Sequence, residues 1–309
     1  MSGAPPFPPG AVALLACPVC GQALTTLPDD AGLCCSSGHA FDRARQGHVT
    51  LQPPGRRPAV GDSAPMVADR AAFLGAGHYD GVTTALGDAV VTDGGTRAVL
   101  DLGGGTGHHL AAILDRAPQA VGVALDASPY AARRAARAHP RAMAVVADSW
   151  SRFPVRDGVL DRVLVVFAPR NGPEIARVLR PDGRLVVVTP AADHLAELVG
   201  PLGLLRVDPR KAERTAATLE PSLRLIASTC HRQTLALGRP AVEVLVGMGP
   251  HARHLVRDDL RGRLDAFPEP VPVTVSVDIG VYEPLPSADF RRVPPPDCDG
   301  SGAPSKLRP

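Results

Sequence analysis

The chain has 309 residues, of which 45% are hydrophobic and 21% charged, and its formal net charge is +2. This composition is typical of a folded globular protein, and the near-neutral charge excludes a globally basic nucleic-acid-binding protein but leaves room for a local basic patch. No apolar run approaches the roughly 20 residues that span a bilayer and no secretory signal is recognisable, so we expect a cytoplasmic protein with no membrane partner.

A cysteine-rich segment stands near the N-terminus, where Cys17 and Cys20 form a Cys-x-x-Cys pair. Cys35 and His39 supply a second pair of ligands, and four such ligands make the closed set of a structural zinc site. Clustered cysteines in a cytoplasmic protein favour metal over disulfides. Cys34 is an alternative ligand to Cys35. A redox pair is an alternative to zinc, but it would need a thioredoxin-like βαβ context, and none is near.

The segments around these cysteines define the predicted domain boundaries. Residues 11–51 form a zinc-binding domain, because a unit of this size cannot fold on a hydrophobic core alone. Residues 52–92 are a linker rich in Pro, Arg and Gly followed by a helical connection with an apolar stripe. Residues 93–284 form the main domain, and residues 285–309, rich in proline, form a disordered tail.

The main domain opens with an apolar strand that runs into a glycine-rich loop, Asp-Leu-Gly-Gly-Gly-Thr-Gly from Asp101 to Gly107. Glycine lets a backbone turn tightly and approach a ligand, and a strand–loop–helix unit of this kind binds a nucleotide-like cofactor at the helix N-terminus. The spacing differs from the Gly-x-Gly-x-x-Gly of dinucleotide sites. The next predicted strand leads to Asp126, where a carboxylate can bind a ribose diol. This pattern resembles motif I of the class I S-adenosylmethionine (SAM) methyltransferases; the alternative is a plain tight turn.

Strands and helices alternate through the main domain. Predicted strands lie at residues 98–102, 120–125, 142–146, 162–167 and 184–188, with later strands near 223–229 and 271–282. The pattern predicts an α/β fold, a Rossmann-like class I SAM-methyltransferase domain with a mostly parallel seven-stranded sheet, preceded by a zinc-ribbon-like domain.

Two predicted loops at the carboxyl edge of this sheet carry further candidate residues. Asp148 can accept a hydrogen bond from an adenine amino group, or can simply cap its loop, and Trp150 can flank the adenine ring or pack in the core. Phe167 can stack on a flipped base and Arg170 can contact a base or phosphate. The alternative is a proline turn in which Asn171 caps the next helix. The predicted cofactor-binding residues are Asp101, Gly103, Gly105, Gly107, His109, Asp126 and Asp148, and the predicted substrate-binding residues are Phe167, Arg170 and Asn171.

Arg133, Arg134, Arg137 and Arg141 fall on one predicted helix at spacings that favour a common face. A solvated helix face and an RNA-phosphate patch are the two interpretations. No general base is assigned; Asp193 and His194, after the fifth strand, are candidates.

The motifs together resemble the bacterial 23S rRNA guanine-N1 methyltransferases of the RlmA type. Besides the zinc ligands and the glycine loop, the resemblance rests on residues 41–49, 61–66, 71–79, 167–171 and 189–198, and it covers about residues 15–284. Within this family, the segments Gly-Gly-Gly-Thr-Gly-His-His-Leu and Phe-Ala-Pro-Arg-Asn are most similar to the branch that confers resistance to tylosin- or mycinamicin-like macrolides.

The resemblance implies SAM as the cofactor, Zn²⁺ as a structural metal and a homodimer. It implies as substrate a 23S rRNA hairpin that lines the peptide exit tunnel, methylated at guanine N1 in the guanine(748) manner. It also makes Arg43, Arg45, Arg56 and Arg57 candidates for phosphate contacts. One alternative is a SAM-dependent small-molecule methyltransferase with a structural zinc ribbon. A second is a non-enzymatic zinc-ribbon RNA-binding module with a degenerate methyltransferase fold.

Overall fold

A computed structural model of the chain describes residues 6–53, 55, 60–91, 95–204, 208, 211–249, 252 and 257–285. The predicted tail beyond residue 285 and two of the candidate arginines, Arg56 and Arg57, lie outside these residues. In the described part of the chain, no helix is long and apolar enough to cross a membrane.

The described elements are numbered in chain order. The helices are α1 (Pro9–Val12), α2 (Ala64–Gly75), α3 (Asp80–Val90), α4 (His108–Arg116), α5 (Pro129–Ala135), α6 (Gly172–Val178), α7 (Ala196–Leu202), α8 (Lys211–Leu219), α9 (Arg239–Gly247) and α10 (Arg257–Leu264). The strands are β1 (Leu24–Thr26), β2 (Gly32–Cys35), β3 (Ala40–Asp42), β4 (Val49–Thr50), β5 (Ala98–Leu102), β6 (Val121–Asp126), β7 (Ala142–Val146), β8 (Leu160–Val166), β9 (Leu179–Pro190), β10 (Leu223–Leu237) and β11 (Val271–Pro284).

The main sheet has the strand order β10-β11-β9-β8-β5-β6-β7-β4. The strands from β4 to β9 run parallel, and β11 pairs antiparallel with both β9 and β10. Seven of these strands are those predicted for the methyltransferase domain, so the Rossmann-like, mostly parallel fold is confirmed. The short β4 comes from the N-terminal segment and adds an eighth strand beside β7.

The zinc-ribbon segment packs directly on the methyltransferase sheet. Strands β1, β2 and β3 form a small antiparallel sheet of their own. Leu15 and Leu33, which are fully buried, belong to the same apolar core as Leu100 and Val123 of the central strands. Leu15 also forms an antiparallel bridge with Val155 of the main domain. The small unit therefore shares a hydrophobic core with the large one, in addition to any stability that a metal supplies.

Local capping sets where several helices begin. The hydroxyl of Ser128 accepts the Ala131 N–H at 3.3 Å and so caps α5, as the Ser-Pro pair predicts. The predicted helical stretch of residues 64–91 is divided into α2 and α3 by a turn in which Gly77 has φ +79°. The helix predicted at residues 128–139 ends at Ala135, and a turn follows it.

The segment between β10 and β11 contains two helices, of which α9 packs against α2 and α10 packs against α9 and α7. The buried carboxylate of Asp69 on α2 accepts a hydrogen bond from Arg257 at 2.5 Å, and Glu243 on α9 accepts one from Arg261 at 2.9 Å. These contacts place α9 above the carboxyl edge of the sheet, where it forms one wall of the site described next.

Candidate functional site

The carboxyl ends of the central strands open into a cavity of about 980 Å³. Its floor is the glycine loop after β5, its walls include the end of β6 and the loop after β8, and α2 and α9 cover it. In open α/β sheets, ligands bind at this edge. Of the predicted residues, the cavity wall includes Asp101, Gly103, Gly105, His109, Asp126, Phe167 and Arg170.

The glycine loop has the backbone that the motif predicts. The Gly103 N–H donates to the Leu125 carbonyl at 2.8 Å, and the Gly105 N–H donates to the Asp126 carboxylate at 2.9 Å. Gly103 has φ +71°, and a Cβ there would lie 2.4 Å from Cβ of Ala168. Gly107 has φ +76°, and its Cβ would lie 2.9 Å from Ala138. A side chain at either position would strain the loop, so glycine is required there.

Asp101 is buried at the base of the cavity, with 1% of its surface exposed. Burial, and then the nearby charge of Asp126, raise the pKa of the Asp101 carboxyl to about 7. Its Oδ2 has no hydrogen-bond partner among the described residues. A buried carboxylate oxygen without a donor, beside a cradle of glycines, fits the cationic and hydrogen-bond-donating groups of SAM.

Asp126, the predicted ribose ligand, ends β6 and lines the cavity. Its two carboxylate oxygens accept the backbone N–H groups of Ser128 at 2.8 Å and Gly105 at 2.9 Å. Burial raises the pKa of the Asp126 carboxyl, and these two donors oppose that rise. The remaining lone pairs of both oxygens are available for a diol at the cavity wall.

His109 lies inside the cavity as a neutral ring. Burial, and then the charges of His108 and Arg70, lower the pKa of the His109 imidazole to about 3. Its Nδ1 lies 3.1 Å from the Thr83 hydroxyl, which itself donates to the Tyr79 carbonyl at 3.1 Å. Because that hydroxyl proton is already used, we infer that Nδ1 donates to Thr83 and that Nε2 is the acceptor.

Asp148 has local partners. Its carboxylate accepts hydrogen bonds from the Trp150 N–H, at 2.9 Å, and from the Ser151 hydroxyl. These bonds are the loop cap that was the alternative to adenine recognition, so an adenine contact remains a prediction. Trp150 is 65% exposed at the rim of the cavity, so its core-packing interpretation is wrong.

The loop after β8 carries three candidate substrate-binding residues, of which two line the cavity and the third caps a helix. Phe167 has φ +54° and is 41% exposed at the cavity. Arg170 is half-buried in the wall; burial lowers the pKa of its guanidinium, and its Nε has no hydrogen-bond partner in the described structure. Asn171 instead caps α6 by accepting the Glu174 N–H at 3.4 Å, and its amide donates to the Trp150 carbonyl at 3.3 Å. A substrate contact by Asn171 remains a prediction.

The two candidate bases are also separated. Asp193 pairs with Arg232 at 2.8 Å on the surface, whereas His194 lines the cavity, with its ring centroid 5.8 Å from that of Phe167. The Nδ1 of His194 accepts the Ser276 N–H at 3.2 Å. A neutral ring bonded in this way carries its proton on Nε2, which is a donor rather than a base.

Sequence reasoning missed the residues that close the cavity from above. Arg70 on α2 pairs with Asp62 at 2.5 Å and donates to the Met248 carbonyl at 3.0 Å, so it joins α2 to the end of α9. Its guanidinium stands 3.4 Å from where a Cβ of Gly105 would be. Local patterning gives no signal for this contact, because Arg70 and Met248 are 178 residues apart.

The predicted metal ligands come together in the zinc-ribbon segment. The ligand atoms of Cys17, Cys20, Cys35 and His39 all lie within 4.8 Å of one another. The Cys20 and Cys35 sulfurs are 3.6 Å apart, and His39 Nδ1 is 3.3 Å from the Cys35 sulfur. Four ligands about 2.3 Å from a tetrahedral Zn²⁺ would be about 3.8 Å apart, so the group fits zinc through Nδ1 of His39. Cys34 lies outside the group, with its sulfur 3.6 Å from the Thr25 hydroxyl.

Comparison with known proteins agrees with both halves of this architecture. The family model described as RlmA, N-terminal, a zinc ribbon, matches residues 15–57, and a methyltransferase domain model matches residues 99–183. A Micromonospora griseorubida protein assigned as a 23S rRNA (guanine-N(1)-)-methyltransferase is 50% identical over 288 residues, 88% of this chain and 97% of the relative. The chain belongs to the 23S rRNA guanine-N1 methyltransferase family.

Two further members of the 23S rRNA guanine-N1 methyltransferase family match nearly end to end. The 23S rRNA (guanine(748)-N(1))-methyltransferase of Streptomyces fradiae is 48% identical over 280 residues, 89% of this chain and 98% of the relative. A Bacillus subtilis protein assigned a 23S rRNA (guanine-N(1)-)-methyltransferase activity is 29% identical, over 86% of this chain and 94% of the relative. The chain is a SAM-dependent methyltransferase with a structural zinc site, as predicted.

Proposed function

We propose that this enzyme transfers a methyl group from SAM to N1 of a guanine in a 23S rRNA hairpin, in the guanine(748) manner. The Streptomyces fradiae relative, 48% identical over almost its whole length, bears that activity in its name. The observation that carries the proposal is the cavity itself, which joins the glycine loop to the exposed Phe167 and half-buried Arg170. Methylation of an exit-tunnel nucleotide would confer resistance to tylosin-like macrolides, and the enzyme would act in the cytoplasm as a homodimer.

The cofactor side of the cavity is assigned to seven residues. Asp101 and His109 offer acceptors to the amino-acid end of SAM, and Asp126 accepts the ribose hydroxyls. The glycines at 103, 105 and 107 leave room for the backbone to approach it, and Asp148 faces the adenine. The chemistry that SAM supplies is a methyl group on a positively charged sulfonium.

The substrate side must present an unpaired guanine, because N1 lies on the Watson–Crick edge and is inaccessible in a base pair. Phe167, held at the cavity by its left-handed backbone, stacks on the base, and Asn171 fixes the loop on which it stands. Alignment of N1 with the methyl group and exclusion of water are the main tasks of this wall.

Arg170 has an electrostatic role in the proposed reaction. N1 carries a proton that must leave as the new bond forms, and negative charge then develops on the guanine ring. A guanidinium with an unpartnered Nε in a half-buried wall can stabilise that charge better than water does. The proton that leaves N1 passes to the solvent.

The domain division follows the same scheme. In this proposal residues 11–51 form the zinc unit, residues 93–284 form the methyltransferase domain, and residues 52–92 connect the two. The predicted tail, residues 285–309, lies outside the described residues except for Leu285. Of the zinc-side candidates, the guanidinium of Arg43 is engaged inside the unit, since it lies 4.2 Å over the Phe7 ring and donates to the Gly47 carbonyl at 3.4 Å. Arg45 is exposed and remains a candidate for a phosphate contact.

The test uses purified enzyme, labelled SAM and 23S rRNA from a strain that lacks its own enzyme, with the nucleosides separated by mass spectrometry. The proposal predicts label in 1-methylguanosine, formed about 100-fold more slowly by the Arg170→Gln variant at matched SAM occupancy. Label in another nucleoside would overturn the N1 assignment. Unlabelled RNA from an enzyme that binds SAM would favour the small-molecule alternative.

A further inference from the structure

One face of α5 is exposed and basic, and its arginines form no ion pair with the described part of the chain. The helix buries Ala131, Ala132 and Ala135 against the sheet. The opposite side, which we call the α5 face, is formed by Tyr130, Arg133, Arg134 and, in the following turn, Arg137. We propose that the α5 face binds the sugar-phosphate backbone of the RNA substrate. This inference rests on the proposed rRNA substrate and names a contact surface for it outside the cavity.

The arginines of the α5 face differ from most others in the described chain. Neither an ion pair nor a side-chain hydrogen bond links Arg133, Arg134 or Arg137 to a described residue. By contrast, Arg232 pairs with Asp193 at 2.8 Å, and Arg261 pairs with Glu243 at 2.9 Å. Residues 129–141 contain no acidic residue. Three exposed cations with no counter-charge among the described residues complement a polyanion.

Arg141, which the sequence placed with this group, has a different task. Its guanidinium donates to the carbonyls of Leu114, Ala117 and Ala120, at 2.8 Å for Ala117, and so holds the end of α4. The predicted common face of four arginines is therefore wrong for Arg141, because the helix ends before it and the chain turns back toward β7.

Tyr130 adds an aromatic surface one turn before the arginines. Its ring is 44% exposed, and residues three and four apart on a helix are neighbours, so it stands beside Arg133 and Arg134. An exposed aromatic ring among unpaired cations suits a nucleotide, because every base can stack on it while the cations contact phosphates.

The α5 face is close to both the cavity and the zinc unit. Helix α5 starts two residues after Ala127, which lines the cavity, and at 1.5 Å per residue Arg133 is about 6 Å from the helix start. Burial and then the charge of Arg133 lower the pKa of His48, at the base of the zinc-unit turn that displays Arg45. The face thus joins the zinc-unit side that carries the exposed Arg45 to the helix that begins beside the cavity where the guanine would enter.

The test measures the affinity of the full-length zinc-loaded protein for a 23S rRNA fragment that contains the exit-tunnel hairpin, at several salt concentrations. The Arg137→Gln variant has a matched control in Arg97→Gln, since Arg97 is also exposed but precedes β5 and is not part of the α5 face. Each phosphate contact contributes about 0.7 to 0.9 to the slope of log Kd against log salt.

We expect Arg137→Gln to lower this slope by about 0.7 to 0.9 and Arg97→Gln to leave it unchanged. The triple variant Arg133→Gln/Arg134→Gln/Arg137→Gln lowers it by about 2 to 3 and weakens binding about tenfold or more, with SAM affinity unchanged. Tyr130→Ala weakens binding about fivefold or more, and Tyr130→Phe restores it.

Three results would overturn the proposal. If the triple variant has the wild-type slope and Kd while the wild type methylates rRNA, the α5 face does not bind the RNA, and the proposed function is unaffected. A triple variant that binds RNA normally but changes sedimentation shows that the face contacts a second copy of the chain. A wild-type protein that neither binds nor methylates 23S rRNA overturns the proposed function and the α5 face together.

Discussion

Replacement of Asp101 by asparagine is expected to stabilise the ligand-free fold while impairing cofactor binding. Burial and Asp126 raise the pKa of Asp101 from 3.8 to about 7. Between pH 4 and 7, the unfolded chain has therefore released a proton that the folded chain retains, and the free energy of unfolding falls as the pH rises. This difference corresponds to about 4 kcal/mol at pH 7 to 8, about 2 kcal/mol at pH 5 and almost nothing at pH 3.

An asparagine side chain does not ionise, so Asp101→Asn avoids this cost. The asparagine amide, however, places an N–H₂ group where Oδ2 of Asp101 now has no hydrogen-bond partner among the described residues. An unsatisfied buried donor costs free energy, which offsets part of the gain in stability. We expect the free energy of unfolding to rise by about 2 to 4 kcal/mol at pH 7.5 and the difference to shrink by more than half at pH 5. SAM affinity should fall about tenfold or more.

Urea unfolding of wild type and variant between pH 5 and pH 8 measures this difference, and calorimetry measures SAM binding. The matched control is Asp258→Asn, whose carboxylate is 88% exposed and pairs with Arg261 at 3.3 Å. Its unfolding free energy should stay within about 1 kcal/mol of the wild type at every pH. An Asp101→Asn protein that is less stable at pH 7.5, or shifted equally at all pH values, would refute the electrostatic reasoning.

Three further substitutions separate the metal, cofactor and substrate assignments. Cys35→Ser should lose zinc and have a lower melting temperature, whereas Cys34→Ser should keep the zinc content and melting temperature of the wild type. Equal zinc content of the two variants by metal analysis would contradict the ligand set. Gly103→Ala, whose Cβ would lie 2.4 Å from Ala168, should weaken SAM binding about tenfold or more by calorimetry, and normal affinity would exclude the close approach. Arg170→Gln should keep SAM affinity and lower kcat about 100-fold, whereas an unchanged kcat would remove its electrostatic role.

Elements defined by local chemistry could be predicted from the sequence. Strand β5 has the predicted bounds, because an apolar run ends at glycines that only a tight turn uses, and the Ser128 cap sets the start of α5. The zinc ligands were predictable for the same reason, since Cys-x-x-Cys and Cys-x-x-x-His place each pair on one turn. Cys34 and Cys35 point to opposite sides of β2, so only one of them can face Cys17 and Cys20. The residue that joins the ligand group is Cys35.

Features that depend on distant contacts could not be predicted. Leu15 and Leu33 are apolar in the sequence, but nothing local says that they pack on the methyltransferase sheet rather than in a core of their own. The contact of Arg70 with Met248 closes the cavity across 178 residues. For Asp148 and Asn171, the sequence could not decide between a local capping role and a ligand role. In the structure both make the local capping bonds.

Primer extension on 23S rRNA is the most direct test of the account. The rRNA would come from a strain that lacks its own enzyme and expresses either this chain or its Arg170→Gln variant. N1 methylation blocks the Watson–Crick edge, so the account predicts a stop next to the nucleotide that corresponds to guanine 748, strong with the wild type and weaker with the variant. Unblocked extension through the hairpin with both proteins, or a stop at a nucleotide outside it, would contradict the account.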